Sequence, residues 1–227
     1  MVETWLITGS NRGIGLHLAQ QALHNGYTVI AACRNPDGAR SLWELEADYP
    51  NKLTLLKLDI SDPESIAELP NQVSAKSIDV LINNAAIQSD PGGPCDSLSQ
   101  QNMNKVFNVN STGPALVCNA LKSKIVSAKI IQISSDWGSI EDTGATDYLA
   151  YRMSKAALNM YSRVLSLELP KAICTSFHPG WVRTDMGGPE ADITPLECSQ
   201  KIVSAIKKLT TKHTGMFLNY EMQEMRW

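Results

Sequence analysis

Short runs of apolar and β-branched residues alternate along this chain with longer stretches in which apolar positions recur every three or four residues. The short runs fall at 4–8, 28–33, 53–58, 78–83, 128–134, 172–178 and 215–219. The longer ones fall at 14–25, 38–48, 63–75, 98–123, 149–169 and 195–209. Short, nearly all-apolar runs read as strands covered on both faces, and helical connections between them return the chain in one direction. The pattern predicts an α/β fold: a doubly wound parallel sheet of about seven strands with helices on both faces. The sequence Ser61-Asp62-Pro63-Glu64 offers a cap, a first-turn proline and an acidic residue at a helix start. No linker, repeat or low-complexity segment interrupts the pattern, so residues 1–227 are expected to form one domain. Gly, Pro, Ser and Asp concentrate at 88–99, 136–147 and 179–195. Each cluster follows a strand, which gathers them at the carboxyl edge of the sheet, where open α/β folds bind ligands.

Right after the first strand comes Thr8-Gly9-Ser10-Asn11-Arg12-Gly13-Ile14-Gly15. Glycines between a strand and a helix let the backbone turn tightly and approach a pyrophosphate at the positive end of the helix. The same residues also serve in ordinary chain reversals, so it is their context that gives them meaning. That context predicts a single-domain Rossmann fold that binds a dinucleotide. The second strand ends Ala31-Ala32-Cys33-Arg34, without the acidic residue that NAD-selective sites place on the ribose hydroxyl. Arg34 and Arg12 either converge on a 2′-phosphate, which a guanidinium fork suits, or are simply solvated. The first reading gives NADP (NADPH) as the cofactor, with NAD the lesser alternative. Asp59, followed by Ile60, either meets the adenine amine or begins to cap the next helix. Asn83-Asn84-Ala85-Ala86 closes the fourth strand with small residues that leave room for a flat ring.

Tyr151 and Lys155 stand four residues apart, hence on one face of a helix. A tyrosine titrates near 10, so it is a poor acid or base at neutral pH unless a nearby cation stabilises the phenolate, and Lys155 is placed to supply one. The spacing alone also describes an ordinary amphipathic helix. The strand Ile130-Ile131-Gln132-Ile133 delivers Ser134 and Ser135 to the same sheet edge, and Asn110 lies in the long helix before it.

Taken with Asn110-Ser111-Thr112-Gly113, Ile133-Ser134-Ser135 and Pro179-Gly180, these segments resemble the short-chain dehydrogenase/reductase family over essentially the whole chain. Ala150 to Met160, His178-Pro179-Gly180-Trp181-Val182 and Thr184-Asp185-Met186-Gly187-Gly188-Pro189 are most similar to its C-factor-like and carbonyl-reductase group. The resemblance implies that Tyr151 is the general acid in reduction and the base in oxidation. It implies that Ser135 binds the substrate oxygen, that Lys155 also holds the nicotinamide ribose, and that Asn110 fixes a water linking Lys155 to solvent. The backbone of Val182 and the hydroxyl of Thr184, after Pro179 and Gly180, are implied to hold the carboxamide and a neighbouring phosphate. The sequence departs from the family's usual form in three places. The interval from Ser135 to Tyr151 is longer, which leaves Ser134 open as the active hydroxyl. Ala85-Ala86 stands where Ala-Gly is commoner. The turn at 170–172 is short, and no long lid follows Gly180, so a small, open pocket is expected.

Composition narrows the function classes further. Twenty Lys+Arg against 23 Asp+Glu give a net charge of -3, with no run of like charge, which argues against nucleic acid as a partner. No apolar run reaches the roughly 18 residues of a membrane span, and the first strand begins too early to leave room for a leader. The cysteines at 33, 95, 118, 174 and 198 lack metal or redox spacing, as do His17, His24, His178 and His213. A cytoplasmic enzyme without a metal is therefore expected. Trp137 and Trp181 either line an apolar substrate pocket or pack, and the Met222, Met225 and Trp227 tail reads as packed surface or interface. The helix from Tyr148 to Leu169 is apolar nearly all round and needs cover on two sides. A second subunit, in a homodimer or homotetramer as the family pairs, would supply one of them. The function expected is NADPH-dependent hydride transfer to a small carbonyl or, in reverse, from an alcohol. The alternative is a dinucleotide-binding signalling protein of C-factor type with little turnover.

Overall fold

The computed structural model describes residues 2–89, 91–92 and 98–227. Cys95 and part of the 88–99 loop lie outside the described residues. Seven strands form one sheet: β1 (Thr4–Thr8), β2 (Thr28–Cys33), β3 (Leu53–Lys57), β4 (Val80–Asn83), β5 (Lys129–Ile133), β6 (Ile173–His178) and β7 (Phe217–Asn219). Their order is β3-β2-β1-β4-β5-β6-β7, and every pairing is parallel. The strand order reverses between β1 and β4, which opens a crevice at their carboxyl ends.

The strands alternate between two cores, as a period of two requires. Trp5, Ile7, Val29, Ala31, Val80, Ile82 and Ile131 face one layer, formed by α1 (Gly13–His24), α2 (Arg40–Asp48) and α8 (Pro195–Lys208). Leu6, Ile30, Leu81 and Ile130 face the other. There α3 (Pro63–Ala67), α4 (Leu69–Gln72), α6 (Gly113–Ala120) and α7 (Leu149–Glu168) supply Ile66, Leu69, Val117 and Leu165. The buried strands carry no polar face because both sides are covered.

Helix interiors differ from the periodic reading wherever proline intervenes. The stretch 63–75 is broken into α3 and α4, since Pro70 has no N–H to donate to the carbonyl four residues back. The expected helix at 98–123 consists of α5 (Gln100–Phe107), one wider π turn at Asn108–Thr112, and α6. Pro114 cannot donate to the Asn110 carbonyl, its partner in a regular helix, and the widened turn absorbs the mismatch. The start of α2 moves to Arg40 because Pro36–Gly38 forms a separate tight turn, capped by Asn35 accepting from the Gly38 amide. β7 is shorter than 215–219 because Gly215, at φ +74°, still belongs to the turn before it. The cap foreseen at Asp62 forms, accepting from the Glu64 amide with Pro63 in the first turn.

Candidate active site

The carboxyl ends of β1 and β4 are stitched together by side chains before any ligand is considered. Thr8 Oγ1 accepts from the amides of Asn84 (3.0 Å) and Ala85 (3.1 Å). Asn84 Nδ2 donates in return to the carbonyls of Thr8 (2.9 Å) and Gly9 (3.2 Å). This close approach needs glycine. Gly9 sits at φ +67°, and a Cβ there would lie 2.8 Å from Ala85 Cα. A Cβ on Gly15 would fall 2.2 Å from the Gly9 carbonyl oxygen and 2.5 Å from Asn84 Nδ2. The bare backbone ends at the N-terminus of α1, whose first turn carries no acidic side chain, a setting that fits a pyrophosphate.

Above this floor runs one continuous cleft of about 1120 Å³. It takes in the dinucleotide end and the catalytic end together. Gly9, Asn11, Arg12, Gly13, Ile14 and Gly15 line it along β1, and Arg34, Asp59 and Ile60 line it beyond β2 and β3. Asn84, Ala85 and Ala86 form its centre, while Pro179, Gly180, Val182 and Thr184 close it from β6. Ser135, Tyr151 and Lys155 lie in the same cleft.

Ser10 and Asn110, also expected here, are fully buried and do not line it. Ser10 Oγ donates to the Ile7 carbonyl at 2.6 Å and so closes the turn after β1. The Asn110 side chain accepts from the Ile87 amide (2.9 Å) and donates to the Ile87 carbonyl (2.8 Å) and to Ser154 Oγ (3.0 Å). Its amide is thus committed to protein partners, tying the chain after β4 to α7.

Three of the lining residues already have protein partners. Arg12, which lines the cleft with Arg34, is ion-paired with Asp185, the two side chains 67% and 77% exposed. Asp59 Oδ1 accepts from the amide and hydroxyl of Ser61, so it closes a turn at the cleft wall, and Asp62 caps α3 instead. The Thr184 hydroxyl donates to the Val182 carbonyl at 3.3 Å and accepts from the Gly187 amide at 3.1 Å.

At the catalytic end, Tyr151 enters in the first turn of α7 and Ser135 follows β5. A hydrogen bond with Ser135 favours the Tyr151 phenolate, but burial outweighs it and pushes the phenol up to about 12, with Asp136 adding to the rise. Lys155 is 2% exposed, donates to the Ile133 carbonyl at 2.8 Å, and lies 5.6 Å from the centre of the Tyr151 ring. Burial pulls its ammonium down to about 7. Lys155 stands beside the phenol as its spacing implies, and in the bare protein burial disfavours the charged forms of both groups, raising the phenol and lowering the ammonium. Of the two serines, Ser135 is the one hydrogen-bonded to Tyr151, whereas the buried Ser134 Oγ has no hydrogen-bond partner among the described residues.

Sequence reasoning missed three residues of this end, Asp136, His178 and Met225. Asp136 Oδ1 accepts from Ser135 Oγ and from the Trp137 amide, both at 2.9 Å. His178 Nδ1 accepts from the Asp136 amide at 3.0 Å, and burial holds its pKa down despite the nearby carboxylate. Its place at the end of β6, beside β5, was a usable signal. Met225 had none, since only the return of the tail beside β7 brings it in, through a bond from its amide to the Phe217 carbonyl. Trp137 packs its edge against the Tyr151 ring at 5.9 Å and lines the cleft. Trp181 lines it too, but is half exposed. Among the described residues no group of three His, Cys, Asp or Glu side chains is placed to hold a metal, and no helix is long and apolar enough to cross a membrane.

Comparison with known proteins agrees with this arrangement. The short chain dehydrogenase family model matches residues 3–194. An uncharacterized oxidoreductase of Schizosaccharomyces pombe is 34% identical over 216 residues, covering 92% of this chain and 84% of that protein. C-signal of Myxococcus xanthus is 35% identical over 155 residues, covering 66% and 93%. NADPH-bound carbonyl reductase from chicken fatty liver superposes with a TM-score of 0.92 at 34% identity, over 100% of this chain and 99% of that one. Carbonyl reductase Sniffer of D. melanogaster gives 0.95 at 29% identity over the whole of both chains. With its all-parallel sheet, its glycine floor and its tyrosine and lysine in one cleft, the chain belongs to the short-chain dehydrogenase family of oxidoreductases.

Proposed function

We propose that this protein is an NADPH-dependent reductase of small carbonyl compounds in which Tyr151 is the general acid. The observation that supports this most is the meeting of Tyr151, Ser135 and Lys155 in one cleft that continues to the glycine floor. When bound, the dinucleotide supplies the hydride. Tyr151, raised to about 12, holds its proton at neutral pH and is ready to give it to the substrate oxygen as that oxygen gains charge. Ser135 hydrogen-bonds the same oxygen and orients it against the phenol. Lys155, close to neutral pH in its own titration, can hold a ribose hydroxyl and resupply a proton behind the tyrosine. Asn110 acts through position, fixing Ile87 and Ser154 around the catalytic helix.

The glycine loop with Asn11, its turn closed by the buried Ser10, forms the dinucleotide floor in this reading together with Asn84, Ala85 and Ala86. Ile60 and Asp59 flank the adenine, and Val182 and Thr184 flank the nicotinamide. Arg34 takes the 2′-phosphate. Carbonyl reductases of chicken fatty liver and Pseudomonas aeruginosa, similar to this chain over its whole length, carry NADPH and NADP, which supports that preference. Arg12 joins only by leaving Asp185. Met160, Val164 and Leu167 on α7 are exposed apolar residues, which supports pairing of subunits through this helix.

The test follows loss of NADPH, and separately NADH, against a panel of ketones, aldehydes and quinones. Turnover should require NADPH, and Tyr151→Phe should lower it by about 10²–10⁴-fold while cofactor binding persists. A Phe variant as active as the native protein removes Tyr151 from the mechanism, and tighter binding of NADH removes the role of Arg34. Likeness to C-signal favours one second reading, dinucleotide binding without turnover. Saturable NADPH binding with no carbonyl consumed across the panel would select it.

A further inference from the structure

The cleft is electrostatically divided. Toward β1–β3 it carries Arg34 and Asp59, and across the glycine loop the Arg12–Asp185 pair. Arg183 and Asp192 line it from the loop after β6, and among the described residues the ionisable lining that Tyr151 and the ends of β5 and β6 contribute is Asp136, Lys155 and His178. Lys155 is turned onto the Ile133 carbonyl behind the phenol. His178 offers no charge, because its Nδ1 is occupied as an acceptor from the Asp136 amide. Arg152, the nearest guanidinium, is bound to the carbonyl and carboxylate of Asp147 and stacks on Trp137 at 4.4 Å. Among the described residues of this lining, that leaves Asp136 as the solvent-accessible charge beside Ser135, its side chain 49% exposed.

The carboxylate is also aimed by its bonds. Oδ1 is fixed by Ser135 Oγ and the Trp137 amide, whereas Oδ2 accepts from no described residue. A carbonyl oxygen held by Ser135 would take the hydroxyl proton that otherwise goes to Asp136 Oδ1, and would sit beside an atom 2.9 Å from a carboxylate that the Trp137 amide still fixes. The rings of Trp137 and Tyr151, 5.9 Å apart and edge to face, stand beside it. A free carboxylate oxygen next to aromatic rings is a receptor for a cation and repels an anion.

We propose that Asp136 sets the substrate class of this site: carbonyl compounds with a basic amine a few bonds from the reacting carbon are preferred, and keto acids are rejected. This rests on the reductase reading above. The chemistry is otherwise unchanged, with the proton passing from Tyr151 to the carbonyl oxygen and hydride from bound NADPH to the carbonyl carbon.

The test uses three methyl ketones of one shape, which differ only in the group two methylenes from the carbonyl: dimethylammonium, isopropyl or carboxylate. In the native protein kcat/KM should fall in that order, by about tenfold or more from cation to anion. In Asp136→Asn the ratio of cation to anion should shrink toward one, whatever happens to the absolute rate through Ser135. Asp136→Ser, which removes the charge and keeps a small polar side chain, gives the same ratio if the Asn variant is too slow to follow. Equal kcat/KM for the three ketones in the native protein, or a preference that survives in both variants, overturns the assignment of Asp136. Failure to consume any ketone, the neutral one included, instead defeats the reductase reading on which it rests.

Discussion

The two ends of the cleft are built by different means. The dinucleotide end is made of backbone: Gly9 and Gly15 have no room for a Cβ, and Thr8 and Asn84 clamp main-chain atoms of facing strands. The catalytic end is made of side chains drawn from distant segments, whose charge states follow from their burial. Lys155 comes from α7, Ser135 and Asp136 from the end of β5, and His178 from β6. A backbone site tolerates almost no change of shape and has little to titrate. The side-chain site tolerates modest changes of shape but responds steeply to pH and to charge.

The largest effect that follows is on the backbone end. Gly15→Ala puts a methyl group 2.2 Å from the Gly9 carbonyl, with fixed backbone on one side and the clamping Asn84 amide on the other. Neither neighbour is a flexible chain end, so the loop itself must move, at a cost of about 3 kcal/mol, and NADPH affinity should fall by about a hundredfold. Urea unfolding and a fluorescence titration with NADPH measure the two. A variant that melts and binds like the native protein would show the floor to be softer than its contacts imply.

Asn110 tests the border between the ends. It is fully buried, and all its polar atoms bond to Ile87 and Ser154. Asn110→Ala leaves the Ile87 amide and carbonyl without those partners and should cost about 2 kcal/mol in urea unfolding. Activity should fall with the loosening of the chain after β4, and an unchanged unfolding midpoint would deny this positioning role.

The contrast between the ends also explains what the sequence disclosed. Strand and helix alternation, and the glycine loop, are local patterns, so the sheet and its dinucleotide edge were readable to within a few residues. Tyr151 and Lys155 share one helix and were readable as well. Asp136 looked like a loop residue, because nothing in its neighbours along the chain announces that Ser135 Oγ and the Trp137 amide will converge on it. The pairing of Arg12 with Asp185 joins residues 173 positions apart, beyond any local spacing. Electrostatics was the least legible. An i,i+4 pair on a helix places a lysine beside a tyrosine, but how strongly burial opposes their charged forms depends on a depth that only the folded chain reveals.

That balance gives the most diagnostic prediction. In the unfolded chain Lys155 keeps its proton up to about pH 10.5, whereas in the cofactor-free fold burial lowers its pKa to about 7. Between these values the unfolded state binds more protons, so Lys155 makes the fold more stable as pH rises from 7 toward 10. Above 10 the sign reverses, because Tyr151, raised to about 12, keeps a proton in the fold that the unfolded chain releases. Lys155→Met removes the first contribution and leaves the second. The stability of the variant relative to the native protein should be greatest at pH 7 and fall by about 3 kcal/mol as pH approaches 10. Urea unfolding of both proteins at several pH values measures the difference, in which all other titrating groups cancel. A difference independent of pH would mean that Lys155 stays ionised throughout, held by an interaction that outweighs its burial, and the side-chain end of the cleft would then be far less sensitive to charge than its depth suggests.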